Sequence, residues 1–209
     1  MMTPRSAAAL GMCLLAAACG PAIVPTDDPG APYAGARLSG NAPNFEFTDQ
    51  TGATVRWSDF EGKVVALTFL DSRCLDVCPL TSAELIATWR ALTEREREAV
   101  ALIGINVNAQ ANAVQDVAAA SGEWRLAEIP AWSFLTGPPD DLQAIWEAYP
   151  IEVQPGAAGA IDHTAGVFLI DSRGQLRWYV SVPLQDPAWN GPRLAVILLQ
   201  RIRELLGEG

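Results

Sequence analysis

Val64-Val65-Ala66-Leu67-Thr68-Phe69-Leu70 runs through a short polar loop into Cys74-Leu75-Asp76-Val77-Cys78-Pro79, and these two stretches decide how the chain folds. The first is continuously apolar, the pattern of a central strand buried on both faces. The second opens a helix. Pro79 suits a first helical turn, and Leu80, Leu85, Ile86, Trp89 and Leu92 follow at helical spacing. Two thiols placed where a strand gives way to a helix are either a redox pair or two arms of a soft-metal site. His163, the only histidine, can supply a third arm.

Reading outward, Phe45 to Thr48 and Thr54 to Trp57 alternate on either side of Gln50-Thr51-Gly52, which predicts a hairpin. Val100 to Val107 reads as a second buried strand, and Ala113 to Ala120 as a modest helix ending at Gly122. Trp132 to Leu135 reads as a short strand. Pro138-Pro139-Asp140-Asp141 opens a helix through Tyr149, with its acidic residues at the favourable end. Residues 150 to 161 read as loop. Val167 to Ile170 and Leu176 to Val180 flank Asp171-Ser172-Arg173-Gly174-Gln175 as a second hairpin, and an amphipathic helix closes the chain from Pro192 to Leu206. This order predicts an α/β protein: a central mixed sheet flanked by helices, with an N-terminal β-hairpin. A cysteine pair ending the first buried strand and opening a helix makes that fold thioredoxin-like.

Composition narrows the function. Half of the 209 residues are apolar, enough for a core without staples. Asp and Glu outnumber Lys and Arg by 24 to 14, for a net charge of −10. That balance argues against nucleic acid and anionic headgroups as partners and suits a cation or a basic protein surface. At the N-terminus, Arg5 and the apolar stretch Ala7 to Ala18 read as an export signal too short to span a bilayer. The stretch runs through Leu15-Ala16-Ala17-Ala18 into Cys19, which resembles the lipobox of bacterial lipoproteins and implies lipidation of Cys19. The expected organisation is a signal peptide over 1–18, a Pro/Gly/Ala-rich tether over 19–40 and one folded domain over 41–209. The expected location is the bacterial cell membrane, lipid-anchored and facing the extracytoplasmic or periplasmic side.

A helix N-terminus lowers a thiol's pKa, and Arg73 before Cys74 adds a cation. A thiolate serves redox chemistry and metal binding alike, so this alone does not discriminate. Three residues separate the cysteines, where redox pairs of this fold usually have two. Two thiolates select Cu(I) or zinc. With His163 they satisfy three-coordinate Cu(I). A structural zinc site wants a fourth ligand, from Asp76, another acidic residue or water. Asp162 can orient the imidazole, and Asp76 can either favour the helix start or serve the metal. In thioredoxin-like redox enzymes the loop opposite the cysteines carries a proline; His163 stands there instead.

Cys74-x-Asp76-x-Cys78-Pro79, Asp162-His163-Thr164, Leu135-Thr136-Gly137 before a helix, and Leu169-Ile170-Asp171-Ser172-Arg173-Gly174 occur in the order that resembles the Sco/SenC family of copper-binding proteins. The resemblance covers roughly residues 42 to 205. It implies copper held by Cys74, Cys78 and His163, and membrane attachment outside the cytoplasm. It also implies a part in assembling the copper centre of cytochrome c oxidase, with that oxidase subunit or another cuproprotein as partner. The chain departs from the family at Leu70-Asp71-Ser72-Arg73, at Leu75 in place of Pro, and at Asn106-Val107-Asn108 in place of a Ser-Val-Asp type segment. A structural disulfide would close too short a loop to constrain much chain entropy. Two functions remain: a copper chaperone, or a thiol–disulfide oxidoreductase in which Cys74 and Cys78 form the redox pair. A peroxidase of the same superfold, needing one cysteine, is a weaker third.

Overall fold

The computed structural model describes residues 22–24, 35–156 and 161–208. The expected signal peptide and Cys19 lie outside the described residues. Seven strands form one mixed sheet: β1 (Ala22–Val24), β2 (Ala36–Ser39), β5 (Val64–Leu70), β6 (Val100–Asn106), β7 (Trp132–Leu135), β10 (Val167–Ile170) and β11 (Leu176–Val180). Their order is β1-β2-β11-β10-β5-β6-β7. The run β5-β6-β7 is parallel, and every other neighbouring pair is antiparallel. The hairpin β3 (Glu46–Thr48) and β4 (Thr54–Arg56) stands apart from the sheet. Its turn residue Gln50 covers the free edge of β7, donating to the Trp132 carbonyl at 3.2 Å and accepting the Phe134 amide at 2.7 Å.

Helices cover both faces, which explains the unbroken apolar run in β5. Val64, Ala66 and Leu70 join one core with Leu85 of α1 (Val77–Ala91), Val117 of α3 (Val114–Glu123) and Leu198 and Ile202 of α5 (Leu194–Gly207). Val65, Leu67 and Phe69 join the other with Phe47 of the hairpin and with Leu142 and Ile145 of α4 (Pro139–Ala148). Successive strand side chains point to opposite faces, so both parities must be apolar. A short helix, α2 (Glu94–Glu98), links α1 to β6. No helix among the described residues is long and apolar enough to cross a membrane.

Two segments differ from the sequence reading. The tether expected over 19–40 holds two strands of the sheet, because Ala22–Val24 pairs with Ala36–Ser39, which in turn pairs Arg37 with Trp178 and Ala36 with Tyr179. One buried residue, Leu38, and a guanidinium stacked 4.5 Å over Trp178 hold it there. Neither leaves an apolar period to read. The loop expected over 150–161 contains β8 (Val153–Pro155), which pairs with β9 (Ile161–His163). This ribbon lies outside the main sheet and lacks the alternation that marks a half-buried strand.

Helices α1 and α5 are joined by a buried ion. Glu84 of α1, 8 % exposed, accepts the Arg193 guanidinium at 2.6 Å and the Ala195 amide at 2.8 Å, so its charge faces the N-terminus of α5. Replacing Glu84 by Ala leaves that helix start unsatisfied. The expected loss is about 2–3 kcal/mol, a fall in Tm of roughly 5–10 °C by calorimetry.

Candidate functional site

Beyond Leu70, strand β5 ends in a buried charge. Asp71 is only 2 % exposed, and its Oδ1 accepts the Arg73 amide at 2.9 Å and the Asn108 side-chain amide at 2.8 Å. Its carbonyl accepts the Cys74 amide at 3.0 Å. Asn106, at the end of β6, accepts the Ser72 amide at 3.3 Å and donates to the Ala111 carbonyl at 2.8 Å. The turn that delivers Cys74 is thereby fastened to the loop after β6. Sequence reasoning registered these residues only as departures from a family pattern. A carboxylate set directly against a seven-residue buried strand was the available signal.

The two cysteines come together as expected. Both are free thiols, Cys78 buried and Cys74 partly exposed. Asp76 caps α1, accepting the Val77 amide at 2.7 Å, and the same oxygen accepts the Cys74 thiol at 3.0 Å. The role of Asp76 at the helix start is thus joined in one atom to a bond with the Cys74 thiol. The Cys78 amide, in the first turn of α1, donates to Cys74 Sγ at 3.2 Å. Hydrogen bonding from the Cys78 side chain holds the Cys74 thiol below its ordinary value, against burial and the Asp76 carboxylate. Cys78 is pushed far up, first by its bond to Cys74, then by burial and by the charge on Cys74. The two shifts run in opposite directions, so Cys74 loses its proton before Cys78 does. Arg73 turns away from Cys74 toward Asp116, 3.7 Å from its carboxylate.

His163 reaches this end of the molecule through the pairing of β10 with β5. Val167 lies opposite Thr68, and Thr68 Oγ1 donates to the Gly166 carbonyl at 2.9 Å, so residues before 166 extend past the end of β5, where the cysteine loop begins. The close approach requires glycine: a Cβ at Gly166 would lie 2.5 Å from the Tyr179 ring. The Tyr179 and Ser181 hydroxyls both donate to the Ala165 carbonyl at 2.8 Å. His163 itself pairs with Val153 across the β8–β9 ribbon, and Thr164 and Glu152 exchange bonds beside it at 3.0 and 2.9 Å.

The imidazole Nδ1 lies 3.1 Å from the Thr164 carbonyl. A carbonyl only accepts, so this bond puts the proton on Nδ1 and the lone pair on Nε2. Nε2 is buried and has no hydrogen-bond partner among the described residues. The orienting bond expected from Asp162 is thus made by a backbone carbonyl. Asp162, adjacent on the strand, points to the exposed side. Burial lowers the His163 pKa from its ordinary 6.5, while the Thr164 bond and the charges of Asp71, Asp162 and Asp76 oppose it. The ring lies near enough to feel the cysteine loop's carboxylates. Among the described residues, however, no three Cys, His, Asp or Glu side chains are gathered closely enough to hold a metal ion. The two sulfurs are assembled; the imidazole stands nearby and apart.

Three outcomes follow from this chemistry. Iodoacetamide should modify Cys74 well before Cys78, by mass mapping. Asp76→Asn keeps a capping side chain and removes the carboxylate that opposes Cys74 ionisation, so the alkylation rate should rise at lower pH than in the wild type. For His163, the unfolded chain takes up a proton near pH 6.5 while the folded chain does so only at lower pH. Stability is therefore full above that value and declines as pH falls through the interval. The urea midpoint of the wild type should fall relative to that of His163→Asn as pH drops from about 7.5 to about 5.5.

The model representing the SCO1/SenC family matches residues 36–188. Protein SenC of Rhodobacter capsulatus is 31% identical over 140 residues, which span 65% of this chain and 61% of that protein. Arabidopsis thaliana ScoI, solved with copper bound, superposes with a TM-score of 0.65 at 18% identity, covering 80% of this chain and 99% of that one. The thioredoxin domain of a Bacteroides vulgatus thiol-disulfide oxidoreductase superposes with a TM-score of 0.55 at 19% identity, covering 79% and 94%. The fold is thioredoxin-like, as its sheet order and the cysteine-bearing start of α1 imply. With a family match over well more than half its length, this chain belongs to the SCO1/SenC family.

Proposed function

We propose that this protein is an extracytoplasmic copper chaperone that carries one copper ion on Cys74, Cys78 and His163. The observation that carries this reading is the buried, unpartnered Nε2 of His163, held by its Nδ1 bond in the tautomer a metal requires. The donor set fits a soft cation: a sulfur already biased toward thiolate, a second thiol bonded to it, and a neutral imidazole. Family membership and the copper found in the Arabidopsis relative support the same choice of metal. Copper is cargo in this reading. Taking it up requires a small approach of the β8–β9 ribbon and the cysteine loop. The recipient is the copper-site subunit of cytochrome c oxidase or another cuproprotein. Arg5, the apolar stretch Ala7 to Ala18 and Cys19 support delivery from a lipid anchor on the extracytoplasmic side.

A second reading, thiol–disulfide oxidoreductase, is favoured by the unequal thiols. Cys74 is the ready nucleophile and Cys78 the protected resolving thiol. Anaerobic Cu(I) titration of the protein separates the two readings. One equivalent should bind, with binding lost in Cys74→Ser and Cys78→Ser. In His163→Ala, affinity should fall by at least about tenfold, or ~1.4 kcal/mol. An unchanged affinity and spectrum in His163→Ala would remove the histidine from the ligand set. Disulfide turnover without copper binding would favour the enzyme.

A further inference from the structure

Leu75 is the most exposed large apolar side chain described, 85% accessible, and it sits between the two cysteines. An isolated exposed leucine is ordinary, but this one has particular surroundings. A small cleft beside the start of α1 is lined by Val77, Ala165, Val182 and Leu184. Two exposed carboxylates accompany the thiols and the imidazole: Asp76, whose Oδ1 accepts the Cys74 thiol, and Asp162, next to His163 in the chain. Both act electrostatically on the imidazole, as does buried Asp71. The cation nearest in sequence, Arg73, is drawn to Asp116. The cysteine loop therefore carries an exposed apolar side chain in company with carboxylates, and an apolar cleft lies at the start of the helix it feeds.

We propose that this rim recognises the cysteine-bearing segment of a target protein that is cationic and presents an apolar side chain beside its thiol, with Leu75 as the specificity-determining contact. The inference rests on the proposed function only in assuming that Cys74 and Cys78 meet a partner's sulfur. Charge complementarity selects the occupant, since a low-dielectric rim carrying carboxylates attracts lysine and arginine and repels an acidic segment. An anionic target would have to place its own charges against Asp76 and Asp162.

Short peptide disulfides test this with the whole protein. The probes are symmetrical disulfide dimers of capped Lys-Phe-Cys-Lys, Glu-Phe-Cys-Glu and Lys-Ser-Cys-Lys. The Cys74 thiolate attacks one probe sulfur and releases the other half as a thiolate. The Cys78 thiol, giving up its proton, then displaces the first half, leaving Cys74–Cys78 oxidised and the probe reduced to two thiols. Rates are divided by those of a neutral free thiol, N-acetylcysteine amide, to remove each probe's intrinsic reactivity. At low ionic strength the Lys-Phe probe should react at least about tenfold faster than the Glu-Phe probe. The gap should close near about 1 M salt, where screening acts over roughly 3 Å. Leu75→Ser should slow the Lys-Phe reaction by about fivefold, leave the Lys-Ser reaction and iodoacetamide alkylation unchanged, and be rescued by Leu75→Met. Equal normalised rates for cationic and anionic probes, or a Lys-Phe rate indifferent to Leu75→Ser, would overturn the proposal. Cu(I) titration of the same proteins reports separately on the copper reading: loss of copper binding with charge selection intact sinks that reading and leaves this one standing.

Discussion

The bond from Thr68 Oγ1 to the Gly166 carbonyl, 2.9 Å long and bridging 98 residues of sequence, joins the two halves of the candidate site. The cysteines follow β5 and the histidine precedes β10, so nothing local brings them together. The antiparallel ladder does so by fixing Val167 against Thr68. A one-residue slip would send alternate side chains to the wrong core, a strong penalty in strands buried on both faces. Register is therefore fixed by the two cores, and the site inherits that precision. Tyr179 adds the lateral constraint, its ring filling the space that any Cβ at Gly166 would need and its hydroxyl holding the next carbonyl.

Charge is arranged with the same economy. The bond of Cys78 to Cys74, then burial and the charge on Cys74, make a second thiolate unfavourable at Cys78, with the charge of buried Asp71 adding to them, so Cys74 loses its proton first. Under the proposed function, a bound Cu(I) would take the place of the proton that Cys78 keeps. The net charge of the pair would be the same before and after, so loading need not disturb the Asp71–Asn108 contact that fastens the loop. Losing the proton with no cation to replace it would add a negative charge beside a buried carboxylate.

The parts of this arrangement legible in the sequence are those encoded locally. The seven apolar residues of β5 and the helical spacing after Pro79 announced a strand feeding a helix. The matched chemistry of Cys74, Cys78 and His163 marked them as candidate donors. The parts that were not legible depend on long-range pairing. Ala36–Ser39 has one buried side chain and becomes a strand only because β11 offers a free edge. Val153–Pro155 becomes a strand only because Ile161–His163 lies opposite. Asp71 and Asn108, 37 residues apart, each look like a loop residue until the sheet sets them side by side. The assignment of Asp162 as the residue orienting His163 missed because neighbours on a strand face opposite ways, which left the bond to the Thr164 carbonyl.

The buried Nε2 weighs on the choice between copper and plain dithiol chemistry. Leaving a polar nitrogen sealed and unpartnered costs about 1–3 kcal/mol, and such groups in native structures call for an explanation. A dithiol enzyme supplies none, because its two sulfurs complete the exchange without an imidazole. A soft cation docked on the neighbouring sulfurs would supply the missing partner, and the stored cost would become a driving force for the ribbon to close on the metal. Under the proposed function the same asymmetry would favour release, since a target offering its own sulfurs would first have to displace the histidine, the donor carried on a separate element.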